Sequence, residues 1–316
     1  MSPEPQLPPL GRRAFLHRAG VVGGMGVLAL AAPSLLAACG SSEGTSSADR
    51  LTLTTELGGR QLVGMFNYTG GYVEAGSPQR LALAIASAEG PPEADGPATL
   101  TVQLARDGAA VGLPITLERH ADGVPIGYYP LVTTFDQAGT WTVSTELDGQ
   151  TVQQAFRVEA PGGSSIRQVG QAMVPVQTPT TADARGVTPI CTRSPQCPFH
   201  GQTLTQALAT GAPVALMIST PQYCQTAVCG PVLDLVIEQS AAMPGLQVVH
   251  SEVYVNPAGG ADPAANGLTD AVSAYGLSFE PSLFVARADG TIVARLDNIF
   301  DRVELAQALQ AATTPA

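Results

Sequence analysis

There is no lysine anywhere in these 316 residues. All positive charge rests on 15 arginines set against 26 acidic residues, a formal net charge of −11. A chain this acidic, with no lysine, is poorly matched to nucleic acid or to anionic lipid surfaces. Three catalytic signatures are also missing: a glycine-rich phosphate loop, a Ser-His-Asp order and a zinc-protease helix motif. Cysteine is scarce, at five residues, and its distribution is the most informative feature of the chain. Cys39 stands alone at the end of an apolar run. The others fall into two tight pairs, Cys191 with Cys197 and Cys224 with Cys229. An even remainder outside a reducing compartment suggests bridges, redox chemistry or metal ligation.

The first 38 residues read as an address. Arg12-Arg13-Ala14-Phe15-Leu16 is a twin arginine followed by an apolar pair, and after Arg18 no charge occurs before Cys39. The length would allow a membrane span, but Gly20, Gly23, Gly24, Gly26 and Pro33 make a poor helix. Leu36-Ala37-Ala38-Cys39 resembles the bacterial lipobox, and together the two motifs resemble a twin-arginine lipoprotein signal. That resemblance implies cleavage before Cys39, a lipid on its sulfur, and residence on the extracytoplasmic face of the cell membrane. Without Arg12, Arg13, Arg18 and Glu4 the mature chain keeps twelve arginines against 25 acids, a net −13. Residues 39–50, rich in Ser, Gly and Thr, read as a tether.

Residues 51–160 read as all-β. Strands are predicted at 51–56, 62–66, 80–87, 98–106, 112–118, 126–133, 140–146 and 151–158, several with clean alternation. Trp141, Val143 and Thr145 face one way, and Thr140, Thr142 and Ser144 the other. Asp107-Gly108, Asp122-Gly123 and Asp148-Gly149 mark turns. So many short strands in about 110 residues predict an antiparallel sandwich. The stretch 135–143, Phe-Asp-Gln-Ala-Gly-Thr-Trp-Thr-Val, resembles a late strand of bacterial immunoglobulin-like domains, although the cysteine pair of antibody domains is absent.

After a linker (161–188) with a strand predicted near 166–176, residues 189–316 read as α/β. Helices are predicted at 204–210, 232–240, 268–275 and 303–311. Buried or paired strands are predicted at 214–219, 248–255, 282–286 and 291–295, the last two forming a hairpin through Asp289-Gly290. The order β-α-β-α-β-β-α, with a cysteine at the first strand–helix junction, resembles thioredoxin. Val214-Ala215-Leu216-Met217-Ile218 stands for the central strand, Pro231-Val232-Leu233-Asp234 for the proline-bearing helix, and Phe279-Glu280-Pro281-Ser282 for the entry through the cis-proline. The spacing departs from that family: Cys224 and Cys229 form C-x-x-x-x-C rather than C-x-x-C, and Tyr223 replaces the usual Trp.

The resemblance implies a thiol–disulfide oxidoreductase without cofactor, acting on protein thiols or disulfides of the cell envelope. Cys224 would attack with a pKa lowered by a helix N-terminus. Cys229 would resolve the mixed disulfide, and Pro281 would shape the substrate groove. Five residues of regular helix rise roughly 7.5 Å, so the pair can close only if Cys224 precedes the helix or the helix is distorted. Cys191 and Cys197, flanking Arg193, Ser194 and Pro195, are expected to form a structural disulfide. Two alternatives stand beside this reading. One is a non-catalytic binding module held by two disulfides. The other is metal binding, copper handling in particular, with ligands drawn from Cys191, Cys197, His200, Cys224 and Cys229, a set with enough soft donors for zinc or cuprous copper. It is prompted by copper-delivery proteins that share the thioredoxin fold and use a distant His, for which His200 or His250 would stand in.

Overall fold

A computed structural model of the chain describes residues 59–66, 70–87, 90–224, 227–259 and 262–314. The leader with Cys39, the tether and the strand predicted at 51–56 lie outside the described residues.

Eight strands build the first half: β1 (Arg60–Gly64), β2 (Val73–Glu74), β3 (Pro78–Ser87), β4 (Thr99–Arg106), β5 (Ala109–Glu118), β6 (Tyr129–Thr134), β7 (Gly139–Leu147) and β8 (Gln150–Glu159). They form a three-stranded sheet, β1-β3-β6, and a five-stranded sheet, β2-β8-β7-β4-β5. The alternation read in the sequence is the cause. On β7, Trp141, Val143, Thr145 and Leu147 are buried while Glu146 is exposed, so one face packs inward. Between the sheets Phe135 meets Trp141 and Phe156 edge-on, at 4.9 and 5.5 Å between ring centroids. The short strand β2 pairs in parallel with β8 and has no counterpart in the predicted strands. At the opposite edge, the pairing of β5 with β4 shifts register where Val102 and Leu104 face Ile115 and Val111. Between those partners come Gly112, with a positive φ, then Leu113, 86% exposed, and Pro114.

The second half contains α1 (Leu204–Ala209), β9 (Val214–Ile218), α2 (Cys229–Ser240), β10 (Gln247–Ser251), α3 (Asp270–Ala274), β11 (Ser282–Ala286), β12 (Ile292–Asp297) and α4 (Arg302–Thr313), with a 3-10 turn at Pro263–Asn266. The sheet order is β10-β9-β11-β12. β9 and β10 are parallel and the remaining pairs antiparallel. β9 is wholly buried because both its faces are covered. Ala215 and Met217 pack with α2 and α4 through Val232, Leu233, Leu305 and Leu309. Leu216 and Ile218 lie in the other core with Leu204 of α1 and Val272 of α3. α1 starts at a capping box in which Thr203 and Gln206 exchange side-chain and backbone hydrogen bonds.

The strand predicted near 166–176 is not formed. The segment makes only an isolated bridge, Ala172 with Thr291. It bends at Gly170, whose φ of +90° is incompatible with an extended strand. Its backbone instead bonds the start of β12 piecemeal: Gly170 and Met173 donate to Ile292 and Gly290, and Ile292 donates to Gln171.

The halves are joined by a buried polar clamp. β3 is buried on both faces. Leu81, Leu83 and Ile85 enter the sandwich core, and Ala82 packs against Val228 and Ile299 of the second half. From that outer face the Arg80 guanidinium reaches both carboxylate oxygens of Glu304 in α4, at 2.9 and 2.6 Å, and the carbonyls of Asp297 and Ile299. Tyr128 donates to Glu304 and accepts from the Asp301 amide. His120 Nδ1 lies 2.9 Å from Asp301. The Arg80 and Glu304 charges thus oppose each other within a dense set of hydrogen bonds, the condition under which a buried pair is tolerated.

Candidate functional site

β9 ends at Ile218, and the chain then crosses to α2 carrying Cys224 on the way. The two cysteines are joined, Cys224 to Cys229, with Cα atoms 6.0 Å apart. The bridge closes because Cys224 lies before the helix and Cys229 is its first residue, so the helical rise does not separate them. Cys229 is fully buried, whereas Cys224 is half-buried.

This placement corrects one step of the sequence argument. The residue at the helix N-terminus is Cys229, not Cys224, so the positive end of the dipole bears on the buried sulfur. The Val228 cap has no side-chain hydrogen bond, and Pro231 in the first turn has no N–H to offer. For Cys224, exposure rather than the dipole favours the attacking role.

The Glu280–Pro281 peptide is cis. Ser282 pairs with Ile218, which sets Glu280 and Pro281 beside the end of β9. Glu280 accepts a hydrogen bond from the Thr220 amide at 2.5 Å, and its carboxylate lies 3.7 Å from the Cys229 sulfur. Burial pushes Glu280 up to about 8 despite the bond from Thr220. Pattern reading singles out the neighbouring proline and passes over this residue. The available signal is an acidic side chain at the entry to an otherwise apolar strand.

The other cysteine pair differs from expectation. Cys191 and Cys197 are free thiols, both buried, so the structural disulfide assigned to them is not formed. The loop folds their sulfurs toward two imidazoles rather than into a bond with each other. Cys197 Sγ lies 3.2 Å from His200 Nε2 and 3.4 Å from His250 Nδ1, and Cys191 Sγ lies 3.9 Å from His250 Nδ1. The two ring nitrogens are 3.3 Å apart. The copper set Cys191, Cys197, His200, Cys224, Cys229 is likewise not one site. Its members divide between this cluster, completed by His250, and a separate group of Cys224, Cys229 and Glu280.

Backbone and side-chain bonds fix the cluster. His250 lies on β10 opposite Met217, and its amide donates to the Phe199 carbonyl. Its Nε2 lies 3.0 Å from the Ser219 carbonyl and 3.1 Å from the Ser219 hydroxyl; a bond to the carbonyl puts a proton on Nε2, and in a neutral ring Nδ1 is then the acceptor. The Cys197 amide points at the Cys191 sulfur at 3.5 Å. Hydrogen bonding from Cys197 and the two histidines pulls the Cys191 thiol down, and the same bond together with burial pushes Cys197 up. The two sites share a brace. Thr192, next to Cys191, donates through its amide and hydroxyl to buried Glu252, and its hydroxyl accepts from the Gln222 amide two residues before Cys224.

No family model and no curated protein matches the chain. Solved structures that match are remote. A complex of titin M10 with an obscurin-like 1 Ig domain is 18% identical, covers 28% of this chain and 81% of that one, and has a TM-score of 0.18. Titin domain M7 is 13% identical, with 34% and 98% covered and a TM-score of 0.20. A superoxide reductase (neelaredoxin) from Ignicoccus hospitalis is 11% identical, with 33% and 82% covered and a TM-score of 0.22. These neighbours are largely immunoglobulin domains, in keeping with a mostly β chain. At such scores they carry no argument, and the sandwich stands on its own strand pairing.

Proposed function

We propose that the chain is a membrane-anchored, extracytoplasmic thiol–disulfide oxidoreductase with a thioredoxin-like second domain. The observation that carries this reading is the half-exposed Cys224 bridged to buried Cys229 at a strand–helix junction, beside Glu280 and Pro281. The β9-α2-β10 unit followed by the β11–β12 hairpin supports the fold assignment, and the twin arginine and lipobox support the location.

The chemistry balances with these residues alone. In the oxidised protein a substrate thiolate attacks Cys224, the exposed sulfur. A mixed disulfide forms, and Cys229 leaves as a thiolate. Neutral Glu280 gives that thiolate a proton. A second substrate thiol then displaces Cys224, so the substrate is oxidised and the protein reduced by two electrons. In the reverse direction Cys224 attacks a substrate disulfide. Cys229 then passes its proton to the Glu280 carboxylate and closes the bridge.

Trapping tests this reading. Cys229→Ser should accumulate mixed disulfides with envelope proteins through Cys224, and Cys224→Ser should accumulate none. In the reduced protein Cys224 should alkylate fastest of the four mature thiols. Equally slow alkylation with no trapped partner would leave a non-catalytic binding module.

A further inference from the structure

We infer that Cys191, Cys197, His200 and His250 form a closed, structural zinc site. Four potential ligand atoms, two sulfurs and two imidazole nitrogens, lie within 4.8 Å of one another. A tetrahedral zinc with bonds of about 2.3 Å to sulfur and about 2.05 Å to nitrogen requires N···N near ~3.3 Å and S···N near ~3.6 Å. The nitrogens are 3.3 Å apart, and three sulfur–nitrogen separations are 3.2, 3.4 and 3.9 Å. Four of the six edges of the ligand polyhedron are therefore in place to within a few tenths of an ångström, and the other two lie within 4.8 Å.

The surroundings fit a metal better than they fit four unliganded groups. His250 Nε2 lies 3.0 Å from the Ser219 carbonyl while its Nδ1 faces the cluster, the second-shell arrangement typical of metal-bound imidazole. The Cys197 amide directed at the Cys191 sulfur at 3.5 Å suits a thiolate. Two buried thiolates here would have no lysine in the chain to balance them. Zn2+ cancels that charge and displaces the two thiol protons, giving a neutral centre. All four residues are buried, from 0 to 8% exposed, and together they fill four positions. No position is left open for substrate, so the site is structural and not catalytic. Four-coordinate S2N2 geometry with two imidazoles favours zinc over cuprous copper, which prefers soft thiolate sets.

The test uses the full chain purified without chelator or added metal. Elemental analysis should find one zinc per chain. Cys191 and Cys197 should resist alkylation until zinc is stripped under denaturing conditions, and then titrate as two free thiols. Cobalt substitution should give the intense visible bands of a tetrahedral site. Cys197→Ser and His250→Ala should lower zinc content at least tenfold. Because either may also impair folding, His200→Cys is the decisive variant: it should keep one zinc while the added thiolate strengthens the sulfur-to-cobalt charge-transfer absorption. Cys224→Ser should leave zinc unchanged, so this inference and the exchange reading fail separately. A Cys191–Cys197 disulfide in the native protein would overturn the inference. So would folded wild-type protein without zinc, copper in place of zinc, or zinc lost with Cys224→Ser.

Discussion

Replacing Glu280 by Gln should make the protein relatively more stable as pH rises. The folded state holds the Glu280 proton up to about pH 8, because burial opposes the charge, while the unfolded chain releases it near 4.5. Between those values the unfolded state binds fewer protons, so stability falls with rising pH. The contribution is fully present below about 4.5 and lost above about 8. Carrying a carboxyl across that interval is worth about 4–5 kcal/mol, at roughly 1.36 kcal/mol per pH unit. Glutamine has no proton to lose, and its amide oxygen can still accept from Thr220. Urea unfolding of the disulfide-bonded protein, from about pH 5 to about pH 9, should therefore show wild type losing several kcal/mol relative to Glu280→Gln. Glu252, also raised to about 8 by burial, remains in both proteins, and because its charge helps to raise Glu280 the difference between the curves reports Glu280 together with its coupling to Glu252. In exchange kinetics the variant should slow closure of the Cys224–Cys229 bridge near neutral pH by roughly 10²-fold, within the range for proton transfer by a positioned side chain. Attack by Cys224 should be unchanged. Parallel stability curves, with equal rates of closure, would refute both the buried-acid argument and the proton-transfer role.

Arg80→Met should remove about 3–5 kcal/mol by stranding the Glu304 carboxylate, a fall in Tm of roughly 6–20 °C by calorimetry. Adding Glu304→Leu should recover much of it, whereas a loss below about 1 kcal/mol would mean that other contacts hold the halves together. Cys39→Ser should release the protein from the membrane fraction or block its maturation, and a normally processed, retained variant would count against the lipobox reading.

Strands with alternating or continuous apolar patterns are legible in the sequence, because burial on one or both faces is written in side-chain type. β7 and β9 show this within a residue or two of their observed ends. The segment near 166–176 misleads because its apolar residues are buried one at a time around a bend at Gly170, not along a ladder. At the candidate sites, spacing points to the Cys224–Cys229 pair and to the proline beside it. It does not reveal partners brought in by the fold. His250 comes from a strand more than fifty residues beyond Cys197, and only the parallel pairing of β10 with β9 carries it to the cluster. The expected loop disulfide at Cys191 and Cys197 is a local inference, and two imidazoles drawn in by the fold override it.

The outer rim of the sandwich has a consequence for crowding. An open sheet recruits neighbours along any edge that offers a regular row of amides and carbonyls. On one side that row is covered by β2 only at Val158 and Glu159 of β8. On the other it is interrupted by Gly112, Leu113 and the imino nitrogen of Pro114, so a second molecule approaching β5 meets a bulge instead of a template. Copies held side by side at a surface would be unable to zip into a continuous sheet along β5.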